Sequence, residues 1–177
     1  MAAESAFERV RSYLTSQAAS KSFDELKAPV EEARAALLSE VSGVSDAQAS
    51  FKPGGEGEDG WSIAEVLRHC IHDEEAVALR LRALGLGDEA RPGTVGRIVG
   101  RSGAGVSDLV RDLQAANFAL DHAVGSIAGK ENLERTAPHP WFGELNCRAW
   151  YLFQRIHDND HAAQIQKIKA NPAYPSA

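Results

Sequence analysis

The stretch Phe153–Ile165 constrains this chain more than any other. It contains neither Pro nor Gly, and Leu145, Ala149, Leu152, Ile156 and Ala163 recur around it at the 3.6-residue helical period. It therefore reads as part of one long helix. His157 and His161 are four residues apart, so on a helix they share a face, one turn above the other. Trp150 and Gln164 project to the same side, beside the apolar stripe. Two imidazoles stacked at i and i+4 next to a core can grip one metal ion together; the plain alternative is two polar residues on a solvated flank. The spacing matches the zinc-protease helix His-Glu-x-x-His, but the second residue here is Asp158, one methylene shorter than the general-base Glu. A di-iron carboxylate bundle needs two Glu-x-x-His pairs, and Asp158 to His161 imitates that pattern once. A metal would need a third ligand from elsewhere.

The rest of the chain reads as helices and loops. Residues 5–18 predict a short amphipathic helix carrying Phe7, Val10 and Leu14. Ser22 caps a second, over residues 23–41, with Pro29 in its first turns. Residues 45–49 form one turn. Pro53–Gly60 is a loop by composition. Ser62 followed by Glu65 is a capping box, opening a helix over residues 62–84 that ends at Gly85. His69 lies at the edge of its core stripe, and His72 falls on the opposite side. Residues 85–105 are glycine-rich and read as a mobile connection. They lack the Gly-Lys-Ser/Thr ending of a phosphate loop, and no strand precedes them. Ser107 caps a helix over residues 108–128, with His122 on its surface. A loop rich in aromatics, residues 136–143, leads into the last helix, residues 144–169, which Pro172 follows. No strand pattern and no repeat emerges. Four long helices behind a short leading one predict an all-α up-down four-helix bundle, in one domain over residues 1–177 with its core at 23–170.

Composition excludes several classes. The chain has 177 residues and a net charge of -6, which argues against a nucleic-acid partner needing a basic face. No run approaches the ~20 apolar residues of a membrane span. The first residues carry charges of both signs and no apolar core, unlike a secretory signal. Cys70 and Cys147 read as reduced thiols. The expected location is the cytoplasm.

His69 is the best third ligand, because a bundle can bring two helices face to face. Three neutral imidazoles suit a divalent transition metal such as zinc, nickel, iron or copper, and three protein ligands leave positions open for water or substrate. Glu65 and Asp73, one turn before and after His69, are candidates to orient its ring; ordinary surface charge is the alternative.

Two motifs carry a resemblance. Trp61-Ser62-Ile63-Ala64-Glu65-Val66-Leu67-Arg68-His69 resembles the helix-two signature of the DinB-like, damage-inducible or YfiT-type metal-binding bundles. His157-x-x-x-His161-x-x-Gln164-Ile165 resembles their closing signature, and His139–Leu145 the loop before it. The likeness spans about residues 23–170. It implies a three-histidine site at His69, His157 and His161 holding nickel or zinc, with frequent homodimers. Relatives of known chemistry are metal-dependent thiol S-transferases and isomerases that use low-molecular-weight thiols; many members have no assigned reaction. The expected function is a metal-dependent thiol S-transferase acting on a small electrophile, with Gln164, Trp141 and Phe142 near the site. The alternative is a non-catalytic metal-binding or stress-response module.

Overall fold

A computed structural model describes residues 5–176. Residues 1–4, the start of the expected leading segment, and residue 177 lie outside the described residues. The elements run α1 (Ala6–Ser20), α2 (Phe23–Val41), α3 (Asp46–Ala49), a 3-10 turn (Gly57–Gly60), α4 (Ile63–Leu86), α5 (Val106–Ile127), β1 (Ala137–His139), β2 (Gly143–Leu145) and α6 (Cys147–Lys169). The fold is all-α. Helix α4 packs along α5 and α6, while α2 and α1 pack on α6.

Sequence dictates most of these boundaries through caps. Ser5, Ser22, Ser45 and Ser62 each close a reciprocal capping box with the Glu or Gln three residues on. Each box satisfies two backbone N–H groups that a helix start would otherwise leave bare. Helix α5 starts differently. It begins at Val106 rather than at 108, its cap is Gly105, and Ser107 makes no cap. Instead Asp46 reaches across from α3, and its Oδ1 accepts the Val106 N–H at 2.7 Å. Helix α4 runs through Gly85 and ends at Gly87, whose φ of 87° is the left-handed turn that glycine supplies most cheaply. Pro29 sits seven residues into α2, deeper than a first turn, and the helix continues past it.

The segment read as strand-free holds a small antiparallel hairpin, with Ala137 paired to Leu145 and His139 to Gly143. Consequently α6 starts at Cys147, capped by Asn146, rather than at Glu144. The expected stripe is buried at Leu145, Ala149 and Leu152 but fails farther along α6. Ala163 is exposed and Ile156 half-buried, whereas Gln154, His157, Asp158 and His161 are buried.

Those polar residues divide the interior in two. One apolar cluster gathers Leu14, Phe23, Val30, Val77, Leu120 and Trp150 to Phe153. The other gathers Leu37, Ile63 to Ile71, Leu109 to Ala116 and Ile165. Between them lie Arg34 on α2, Asp73 and Glu74 on α4, Asn117 on α5, and Gln154, His157, Asp158 and His161 on α6. Arg34 bridges this layer, 3.0 Å from Glu74 and 2.7 Å from Asp121.

The cross-element cap gives a direct test. Asp46→Ala removes the acceptor for Val106, and the expected loss is about 1 kcal/mol of unfolding free energy, read by urea denaturation. An unchanged midpoint would mean that α5 starts without this bond.

Candidate metal centre

His69 on α4 meets His157 and His161 on α6 within the polar layer. One nitrogen from each ring lies within 4.8 Å of the others, and all three residues are buried. The Nε2 atoms of His69 and His157 are 3.0 Å apart. Three nitrogens around one zinc-like ion at 2.0–2.1 Å would stand ~3.4 Å apart, so small ring rotations close the site.

Hydrogen bonds on the outer nitrogens set the chemistry of the inner ones. His69 Nδ1 is 2.8 Å from the Arg97 carbonyl oxygen, which can only accept, so Nδ1 carries the proton. His161 Nδ1 is 2.8 Å from Gln164 Oε1, and Gln164 Nε2 donates to the Glu58 carbonyl at 2.7 Å. The second bond fixes the amide's orientation, so His161 Nδ1 is also the protonated nitrogen. Both Nε2 atoms are thereby left as lone-pair donors aimed inward, the arrangement metal-bound histidines adopt. His157 Nδ1 has no hydrogen-bond partner, although Asp158 Oδ1 lies 3.7 Å away. The donor set fits a divalent cation.

Electrostatics agree. Burial lowers the pKa of His161 well below the ordinary histidine value, and charge on His157 and His69 adds to this. Burial and His157 likewise lower that of His69. Burial pulls on His157 too, but Asp73, Asp158 and Glu74 outweigh it and raise its pKa. Glu74 is itself raised by burial and by the nearby Asp158. Without a cation the acidic surround favours the protonated form of His157, and charge there disfavours a second one on His69 or His161.

The other expected site residues divide. Gln164 holds His161, as described. Asp73 reaches the centre, but beside His157, its Oδ2 3.6 Å from His157 Nε2. Glu65 does not orient His69: its carboxylate is taken by the Ser62 capping box and by Lys52. The Arg97 carbonyl occupies that role, and no side-chain pattern could have revealed a backbone acceptor. Phe142 and the half-exposed Trp141 line a cleft of about 80 Å³ over the triad, with Phe153 and Ile156. Trp61 backs the site, its ring centroid 5.1 Å from that of His69 and 6.5 Å from that of His161. His72 is half-buried and lines a different groove. Burial raises the thiol pKa of both Cys70 and Cys147, which makes them poor nucleophiles.

The glycine-rich segment is tied down rather than free. Gly93 N–H donates to the Pro138 carbonyl at 2.9 Å, and Arg68 Nε to that of Gly100 at 2.6 Å. Arg101 grips Glu75 and Asp112 at 2.7 and 2.8 Å. At Gly93 a Cβ would stand 2.6 Å from the Trp150 ring, so only glycine lets the segment cross there. These ties deliver the Arg97 carbonyl to His69.

His139 is the residue sequence reasoning did not single out. It is buried in the cleft wall, stacked on Phe142 at 4.6 Å. Its Nδ1 accepts the backbone N–H groups of Trp141 and Phe142 at 3.2 and 3.3 Å. The ring proton must then sit on Nε2.

Comparison with known proteins bears on this geometry. The DinB superfamily model matches residues 29–165. The chain belongs to the DinB superfamily. It is also similar to the uncharacterized protein YuaE of Bacillus subtilis (strain 168), 29% identical over 155 residues, which cover 78% of this chain and 93% of that protein. Membership of this superfamily and the buried triad together fit a metal-binding protein. No helix among the described residues is long and apolar enough to cross a membrane.

Burial lowers the His139 pKa from 6.5 to about 4, against the pull of Asp73. Between those values the unfolded chain binds a proton that the native ring refuses, so stability falls as pH falls through this window. His139→Gln, which can still accept from the backbone, is expected to flatten part of that acid loss in urea titrations of the metal-free protein. An unchanged slope would show that His139 titrates normally when folded.

Proposed function

We propose that this protein is a divalent-metal-dependent transferase that joins a low-molecular-weight thiol to a small electrophile. The observation carrying the proposal is the convergence of three buried imidazoles beside an open cleft. A divalent ion held by His69, His157 and His161, nickel or zinc as the DinB resemblance implies, would favour the anionic form of a thiol beside it.

The chain's own residues supply the rest. The Arg97 carbonyl and the Gln164 amide lock two rings in the ligating tautomer. Asp158 Oδ1, 3.7 Å away, sets a carboxylate near the proton that His157 carries on Nδ1 when its Nε2 is used as a donor atom. Asp73 adds negative charge on the cleft side. Phe142, Phe153 and Trp61 keep bulk water from the triad, which strengthens every charge interaction there. His139, neutral near pH 7 and protonated on Nε2, offers a hydrogen bond to an oxygen or nitrogen of the electrophile. Trp141 forms the outer wall, its ring 5.9 Å from that of Phe7.

One observation favours the alternative, a metal-binding or stress-response module without turnover. The cleft of about 80 Å³ is small beside the ~300–1,000 Å³ of most ligand pockets. Turnover separates the two readings. Metal-loaded protein is expected to accelerate conjugation of a thiol to a generic electrophile, and His157→Ala to abolish this with helix content intact. Stoichiometric metal without conjugation would favour the module; conjugation that survives His157→Ala would end the metal-dependent reading.

The amide lock makes a second, independent prediction. Gln164→Leu is expected to weaken metal binding by roughly 10–100-fold in a competition titration, with the fold retained. Unaltered affinity would remove Gln164 from the site's support.

A further inference from the structure

A second, larger depression lies on the far side of the segment that delivers Arg97. Its volume is about 620 Å³, within the range of small-molecule sites. One wall is the outer face of α4, including Ala76 and Leu79; the other is the segment through Arg91, Pro92 and Arg97. Its lining combines an aliphatic strip, Ala76, Leu79 and Ala83, with three arginines, Arg80, Arg91 and Arg97.

Arg80 distinguishes this groove from an ordinary surface hollow. It is 7% exposed, and its guanidinium carbon lies 4.1 Å above the centre of the Trp150 ring. Nε donates to the Arg91 carbonyl at 2.9 Å and Nη2 to that of Pro92 at 3.1 Å, but Nη1 has no partner. Among the described residues Arg80 makes no ion pair, whereas the other buried arginine, Arg34, has two. Burial lowers the Arg80 pKa, and Asp73 only partly offsets that effect. A buried cation without a matched counter-charge projects a positive potential, and low-dielectric walls focus it. Two acids also line the groove, Glu75 and Glu89, but Glu75 is engaged by Arg101 at 2.7 Å. Charge complementarity thus favours an anion with an apolar body.

We propose that this groove binds a small organic oxyanion, its carboxylate or phosphate held by arginines of the lining, Arg80, Arg91 and Arg97, and its apolar body laid along Ala76 and Leu79. The site is distinct from the triad and does not depend on thiol chemistry. The two are nonetheless neighbours: Thr94 lines both, and Arg97 lines the groove while its carbonyl holds His69.

Calorimetric titration of the full chain with 4-phenylbutyrate, phenyl phosphate and the neutral 4-phenylbutanol tests this. At least one anion is expected to bind with 1:1 stoichiometry, at least tenfold tighter than the alcohol; the tighter anion identifies the headgroup. Leu79→Glu places a negative charge at an exposed position in the groove, where it should not disturb folding, and is expected to weaken the anion at least tenfold. His161→Ala is expected to leave anion binding unchanged, because the triad is not the site. Equal binding of the alcohol, no binding of either anion, insensitivity to Leu79→Glu, or loss in His161→Ala would each overturn the proposal.

Discussion

A layer of buried charge crosses the middle of this protein, and the rest of the structure accommodates it. Arg34, Asp73, Glu74, Gln154, His157, Asp158 and His161 are all buried, between two apolar clusters that contain most of the hydrophobic interior. Ionised groups withdrawn from water are stable only when paired or used. Arg34 answers part of the acidity by bridging Glu74 and Asp121. Yet Asp158 Oδ2, Gln154 Oε1 and His157 Nδ1 still lack hydrogen-bond partners. All three of these atoms belong to α6, on or next to the triad. A helix built only for packing would place leucine there. The layer is best understood as the support of a cationic centre.

That support works through orientation as much as through charge. An imidazole can bind through either nitrogen, and a free ring would lose specificity by flipping. Here a backbone carbonyl and a glutamine amide, on different elements, commit His69 and His161 to the same inward nitrogen. The carbonyl arrives because Gly93 lets an irregular segment pass against Trp150, and Arg101 and Arg68 then anchor the segment's far end. The hairpin β1–β2 places His139 and Phe142 over the opening. Loop and hairpin, which carry little of the core, thus supply the site's second layer.

Much of this was readable in the amino-acid order, and the failures have physical causes. The bounds of α2 follow from Ser22 and the apolar spacing after it. The i, i+4 relation of His157 and His161 needs only a helix, and their rings lie 4.4 Å apart. His69 as their partner follows from its place beside the core stripe of another long helix, and the likeness of two motifs points to the same residue; periodicity alone cannot say which helix faces which. The stripe on α6 holds at Ala149 and Leu152 but fails at Ile156 and Ala163, because the buried side there is polar and hydrophobic periodicity is blind to buried histidine and aspartate. Glu65 is a candidate for His69 by spacing alone, but its capping box engages the same carboxylate. Three-residue strands such as β1 and β2 are too short to show alternation. The start of α5 depends on Asp46, far away in the chain, and no local signal reports that contact.

X-ray absorption of the zinc- or nickel-loaded full chain tests the central claim most directly. The account predicts one ion per chain with three imidazole nitrogens in its inner shell, falling to two in His69→Ala. A spectrum with fewer imidazoles in the unmodified chain, or one that His69→Ala leaves unchanged, would contradict it.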